Sequence, residues 1–299
     1  MASSAQATNV ISLLTDLNDF IDSIPSDATP YLDLEGKNLS RNGTITIITI
    51  LVYPTKVMKL IDVQTLGSAA FATASIHGKT LKTVLEDPLI SKCLWDVCND
   101  ADALWAHYKV RLAVVTDIQL LENASRVGDK TYVRGLDTCF EKDLSLGFME
   151  LHGWVRTKRV VKTRMTNDVF SRRPLDAETE KYCLNDVLHL PALQDTYTKR
   201  IDSRWMKKAM DESARRVAEA CYPEYEPQSE NKKPRPWGSG YEITPLKIDE
   251  WLGRYEEDGI DAMLKELLGR DDCDNWSEDE RLNSEDVAWD GTFDSCWEH

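Results

Sequence analysis

The chain has no apolar run of the ~18 residues that a membrane-spanning helix needs. Its longest, residues 44–53 (TITIITILVY), is β-branched and of strand length. The N-terminus, MASSAQATNVISLL, lacks the basic start of a secretory leader and the arginines of a transit peptide. Cysteine occurs seven times, at 93, 98, 139, 183, 221, 273 and 296, without one CxxC pair. That pattern argues against a disulfide framework and for reduced thiols in an intracellular protein of cytoplasm or nucleus. The five histidines are scattered without ligand spacing, and there is no glycine-rich phosphate loop and no nucleophilic-triad signature. Zinc sites, phosphate loops and triad hydrolases therefore have no support here.

Basic residues are also short overall, 36 Lys and Arg against 51 Asp and Glu for a net charge of −15. The deficit is local. Residues 246–299 hold 18 acidic and 5 basic residues, and the rest of the chain holds a nearly balanced 33 and 31. A polyanionic partner is thus compatible with the body of the protein.

The 299 residues suffice for one large domain or two smaller ones. Periodicity predicts a helix over 9–24, closed by Pro25, then strands at 31–36, 44–53 and 57–63 with short, most simply antiparallel connections. Helices follow near 65–75 and 80–87, then a strand at 92–98, a helix at 99–109, a strand at 112–118 and helical segments at 119–126 and 135–147. The pattern dissolves over 153–174. A last core helix starts near Ala177, with Asp176 as its cap, and runs on through about Ala220. This succession predicts an α/β fold, a mixed sheet of five to six strands flanked by helices. The organisation expected is a domain over 10–215, a linker over 216–244 and an acidic extension over 245–299, partly helical and partly disordered. Tryptophans at 276, 289 and 297 hint at a protein partner for the extension.

Three short blocks carry the chemistry. In YLDLEG, strand alternation puts Asp33 and Glu35 on one face. In WDVCNDADALW, Asp100 or Asp102 supplies a carboxylate; Asp100 lies nearer the C-terminal end of the preceding strand, and Asp102 reads otherwise as a solvated helix residue. In EKYCLNDVLHLPAL, a spacing of four stacks Tyr182 and Asp186 on one helical face. Carboxylates converging in this way repel one another unless cations neutralise them. Oxygen-only donors favour Mg²⁺ or Mn²⁺, and such a cage suits phosphodiester hydrolysis with two ions. The bland alternative places Asp33 and Glu35 in solvent on an edge strand. Between the second and third blocks lie Arg156, Lys158, Arg159, Lys162, Arg164, Arg172 and Arg173, with Trp154 and Phe170 interleaved, a strip suited to phosphate contact.

Taken in this order, the blocks resemble the DEDDy group of 3′–5′ exonucleases, the superfamily of RNase D, the Werner-type exonuclease domain and the polymerase proofreading domain. The phrases YLDLEG, NDADALWAHY and YCLNDVLHLPAL look most like fungal and animal proteins described only as 3′–5′ exonuclease domain-containing. The resemblance covers roughly residues 10–200 and implies a ribonuclease H-like fold. It further implies two ions held by Asp33, Glu35, Asp100 and Asp186, and a water oriented by Tyr182. Apolar residues at Leu104, Trp105 and Tyr108 match the family spacing from Asp100. Leu39 would lie against the terminal base or in the core, and Gly36 would allow close approach of a nucleotide. The implied partner is single-stranded RNA or DNA. The competing expectation is a catalytically weak or inactive exonuclease-fold scaffold that binds RNA in a silencing or processing complex.

Overall fold

A computed structural model describes residues 9–165, 168–229 and 237. Thirty of the buried apolar side chains form the main core against one face of a six-stranded sheet, whose strands lie in the order β1-β4-β3-β2-β5-β6. These are β1 (Val10–Ile11), β2 (Thr29–Glu35), β3 (Ile47–Tyr53), β4 (Val57–Asp62), β5 (Lys92–Leu94) and β6 (Val115–Asp117). The meander β2-β3-β4 is antiparallel, as its short connections predict, while β1 on β4, β5 on β2 and β6 on β5 are parallel. The mixed α/β sheet is thereby confirmed, and β2 lies inside it rather than at an edge.

The helices are α1 (Leu14–Asp22), α2 (Val63–Leu66), α3 (Ala69–Ala72), α4 (Leu81–Glu86), α5 (Cys98–Tyr108) and α6 (Ile118–Ser125). They continue as α7 (Leu136–Asp143), α8 (Phe148–Lys162), α9 (Ala177–Leu188), α10 (Leu190–Arg200) and α11 (Ser203–Ala220). Even-numbered positions of β2 and β3, Leu32, Leu34, Ile48 and Ile50, point into the core shared with α1, α4 and α5. On the other face, Ile47 and Leu60 pack with Val161 of α8, Phe170 and Tyr182 and Cys183 of α9. Among the described residues no helix is long and apolar enough to cross a membrane.

Three elements depart from the sequence expectation. The helix expected over 9–24 begins only at Leu14, because Val10 and Ile11 complete the free edge of β4 opposite Leu60 and Ile61. The segment with no pattern at 153–174 is helical to Lys162, with Trp154, Thr157, Lys158 and Val161 buried. A buried lysine and threonine hide the apolar stripe that would have announced this helix. The long helix expected from Ala177 is three: Pro191 enters α10 at its first turn, and Asp202 caps α11 by accepting the Trp205 N–H at 2.8 Å. α11 stays buried at Arg216, Val217 and Ala220, well into the expected linker. The remainder of that linker beyond residue 229, Trp237 excepted, and the extension at 245–299 lie outside the described residues.

Candidate active site

The strand β2 ends with Asp33 and Glu35 on the face that α9 covers, both partly accessible. Across from Asp33 stands Thr49, wholly buried, whose hydroxyl has no partner among the described residues. β2 pairs with β5 only at Tyr31↔Cys93, so its C-terminal half is free on that side and α5 comes up against it. The Leu34 backbone lies near the Asp100 carboxylate and favours its ionised form, which places the first turn of α5 beside the acidic positions of β2. The turn that aims α5 is itself pinned: Asp117 accepts the N–H groups of Asp96 and Val97 and pairs with buried Arg216 at 2.7 Å.

The third block arrives on α9. Asp176 caps this helix, accepting from the N–H groups of Glu178 and Thr179, as its position in the sequence predicts. Tyr182 and Asp186 share the buried face, and the nearby tyrosine hydroxyl favours the ionised form of the Asp186 carboxylate. One carboxylate oxygen each of Asp33, Glu35 and Asp186 lies within 4.8 Å of the others. Oδ2 of Asp33 and Oδ1 of Asp100 are buried without a hydrogen-bond partner among the described residues.

The electrostatics follow from this crowding. Burial, then the charges of Asp186 and Asp100, hold the Asp33 carboxyl well above the ordinary carboxylate range. Glu35 is raised in the same way, by burial and then by Asp33. Burial pushes Asp100 up to about 8, with Asp96 adding to it. Asp186 is raised by burial, against the opposing charge of Lys158. Orphaned carboxylate oxygens and an all-oxygen donor set fit a hard divalent cation, Mg²⁺ or Mn²⁺.

A carboxyl whose pKa is raised on folding favours the folded state when protonated, and that contribution disappears as the pH climbs through the folded value. Without divalent ions the protein is therefore expected to lose stability from the ordinary Asp value of 3.8 up to about 8. Mn²⁺ should flatten that loss. Thermal melts over this pH span, with EDTA or with Mn²⁺, check both.

Asp102 is neither at the site nor in solvent. It is fully buried and takes the Arg41 backbone N–H at 2.7 Å and the Arg41 Nε at 2.6 Å. Arg41 in turn donates to the carbonyls of Ala220, Tyr222 and Pro223. The expectation of a solvated residue at 102 is thus corrected: its carboxylate ties the β2–β3 loop to α5 and to the end of α11. Leu39, in that loop, is partly buried against the main core. A Cβ on Gly36 would fall 1.8 Å from the Thr44 carbonyl oxygen, so the crossing of β2 and β3 alone demands glycine there. Beside this crossing, Thr46 donates from its N–H and its hydroxyl to the Glu35 carbonyl. Here a cavity of about 400 Å³ opens, lined by Thr44, Thr46, Gln64, His107, Tyr108 and Ser171.

The basic residues divide. Arg156, Arg159, Arg164 and Arg172 are exposed, and Lys162 is half-exposed and pairs with Asp137 at 3.4 Å. Arg173 turns inward to grip Asp62 with two bonds of 2.7 Å. Burial opposes the ionisation of Asp62, yet bonds from Arg173 and Thr65 hold its carboxyl below the usual range. Lys158 is buried, its Nζ 2.9 Å from Asp137 and 3.3 Å from Asp186. Trp154 and Phe170 are core residues, 4% and 6% exposed, rather than a stacking surface. Sequence reasoning placed Lys158 in a surface strip and did not connect it with Asp137; only its place on α8, one turn after Trp154, would have marked it as inward.

The sequence matches no family model and no curated protein. Solved structures do resemble the fold. The Trypanosoma brucei RNase D complex with GMP superposes with a TM-score of 0.59 at 19% identity, over 82% of this chain and 71% of that one. The same enzyme with RNA U12 gives 0.59 at 20% identity, over 82% and 78%. Escherichia coli RNase D, described as an exoribonuclease involved in structured RNA processing, gives 0.52 at 18% identity, over 71% and 50%. At such identities the likeness is one of fold.

Proposed function

We propose that the protein is a metal-dependent 3′–5′ exonuclease of the DEDDy type. It would hydrolyse single-stranded nucleic acid, RNA or DNA, and release nucleoside 5′-monophosphates. The observation that carries this reading is the meeting of Asp33, Glu35 and Asp186 oxygens within 4.8 Å, with Asp100, whose buried Oδ1 has no partner among the described residues, near enough for its charge to act on Asp33. The shared fold with RNase D, solved with RNA in the trypanosomal case, supports it.

Asp33, Glu35, Asp100 and Asp186 would hold two divalent ions, which when bound supply an activated water and neutralise charge on the phosphate and the leaving 3′ oxygen. The chain's own groups do the positioning. Tyr182, held on the buried face of α9 beside Asp186, presents a hydroxyl that orients the attacking water. The cavity beside Thr46 would take the terminal nucleoside, with Leu39 and Gly36 on the loop that borders it. Arg156 and Arg159, three apart on the outer face of α8, would draw in phosphates, with Arg164, Arg172 and Lys162 extending the basic surface.

End-labelled RNA and DNA oligomers of matched sequence, digested with Mg²⁺, Mn²⁺ or EDTA, test the proposal. Stepwise shortening from the 3′ end with metal and none with EDTA is the expected result; no hydrolysis under any condition overturns it. Tyr182→Phe keeps the ring packing against Phe170 and removes the hydroxyl. Turnover is expected to fall about 10- to 1000-fold, with substrate affinity nearly unchanged. An unchanged rate would return Tyr182 to core packing alone. A second reading, a scaffold that binds RNA without cutting it, draws on Lys158, whose ammonium already offsets part of the acidic charge. Binding of the same oligomers without shortening would favour it.

A further inference from the structure

We propose that Lys158 is a built-in counter-cation of the carboxylate cluster, which holds Asp186 when divalent ions are absent and gives it up to them, retaining Asp137, when they bind. This rests on the metal-site reading above.

Lysine is among the residues least often buried, and this one is 7% exposed. Its stem lies on the inner face of α8 beside Thr157 and Val161, and its ammonium stands 4.8 Å from the Trp154 ring centre and 5.7 Å from that of Tyr182. The side chain is 9% exposed, and Nζ bridges Asp137 of α7 and Asp186 of α9. The two partners are unlike. Asp186 belongs to the group that converges with Asp33 and Glu35, whereas Asp137, 37% exposed at its side chain, stands outside that group and also pairs with Lys162. Burial opposes the ionisation of Asp137, but Lys158 first and Lys162 after it hold the carboxyl below its usual range. An ionised Asp137 is thus a second seat for the ammonium. The same positive charge also acts on Asp33 and Glu35, easing the repulsion of the empty cluster.

A cation at this distance disfavours a divalent ion on Asp186, so the site should bind such ions more weakly than its carboxylates alone would allow. Two substitutions then act in opposite directions. Lys158→Met keeps the length of the stem and removes the charge, so Mn²⁺ should bind about tenfold more tightly. Asp137→Asn removes the second seat and commits the ammonium to Asp186, so Mn²⁺ should bind several-fold more weakly. A purely structural lysine would lower melting temperatures without moving the two affinities apart.

Titration calorimetry of Mn²⁺ into the full chain, its Lys158→Met and Asp137→Asn variants, and Asp33→Ala/Glu35→Ala as the blank for binding by the acidic 246–299 segment, makes the comparison. Tighter binding by the first variant and weaker by the second is the expected result. Equal affinities in wild type and both variants overturn the role of Lys158 and leave the metal site standing. Binding by Lys158→Met with none by the wild type supports the lysine as occupant and overturns the enzymatic reading. Binding above the blank by no protein overturns both. Should Lys158→Met fail to fold, an unchanged affinity in Asp137→Asn is by itself enough to reject the proposal.

Discussion

Asp33→Ala/Glu35→Ala is expected to abolish phosphodiester hydrolysis while leaving the protein folded. Both side chains stand on the interior strand β2, and each is held above the ordinary carboxylate range by burial and by its acidic neighbours. Removing them relieves repulsion, so the melting temperature in EDTA should be unchanged or higher. Divalent ions should lose their stabilising effect. A native-state ligand at a hundred times its dissociation constant contributes about 2.7 kcal/mol, and the variant should show none of it. Activity assays with melts in EDTA and Mn²⁺ measure all three effects. Loss of folding, or residual activity above about a tenth of wild type, would sink the assignment of these two carboxylates.

The neighbouring aspartates of α5 should separate by the kind of damage they do. Asp100→Asn removes a carboxylate whose buried Oδ1 has no partner among the described residues and whose charge acts on Asp33, and activity should drop by about 10³-fold or more while stability holds. Asp102→Asn breaks a buried pair with Arg41. The cost should be about 3 kcal/mol, at the low end for such pairs, because Arg41 stays 20% exposed at its side chain and keeps its three carbonyl partners. Where the variant remains folded, its activity should stay within a few-fold of wild type. Denaturant melts and turnover numbers on both proteins decide the matter; the reverse pattern would move the middle ligand by two positions.

Those two aspartates also mark where reading along the chain stops being enough. Local rules account for much of the molecule. Alternation put Asp33 and Glu35 on one face of a strand, a spacing of four put Tyr182 over Asp186, and Asp176 could be read as a cap from its neighbours alone. The antiparallel meander followed from short connections. Each of these depends on residues within a few positions of one another, where backbone geometry leaves one answer.

What the sequence by itself determined, then, was the class of sheet, the strand and the helix that bear the acidic residues, and the faces on which those residues lie. Only the tertiary structure decided which partners they meet. Asp102 is neutralised by Arg41, 61 residues away, a partner that no pattern local to α5 announces. Val10 and Ile11 are a strand because β4 offers an edge fifty residues on, and in isolation the helical periodicity prevails. Lys158 looks like one cation in a basic run until α7 and α9 close over it and supply two carboxylates. A charge in water and a charge in the interior are the same letter in a sequence. The difference between them is set by desolvation and by partners brought from distant positions, and those exist only once the chain has folded.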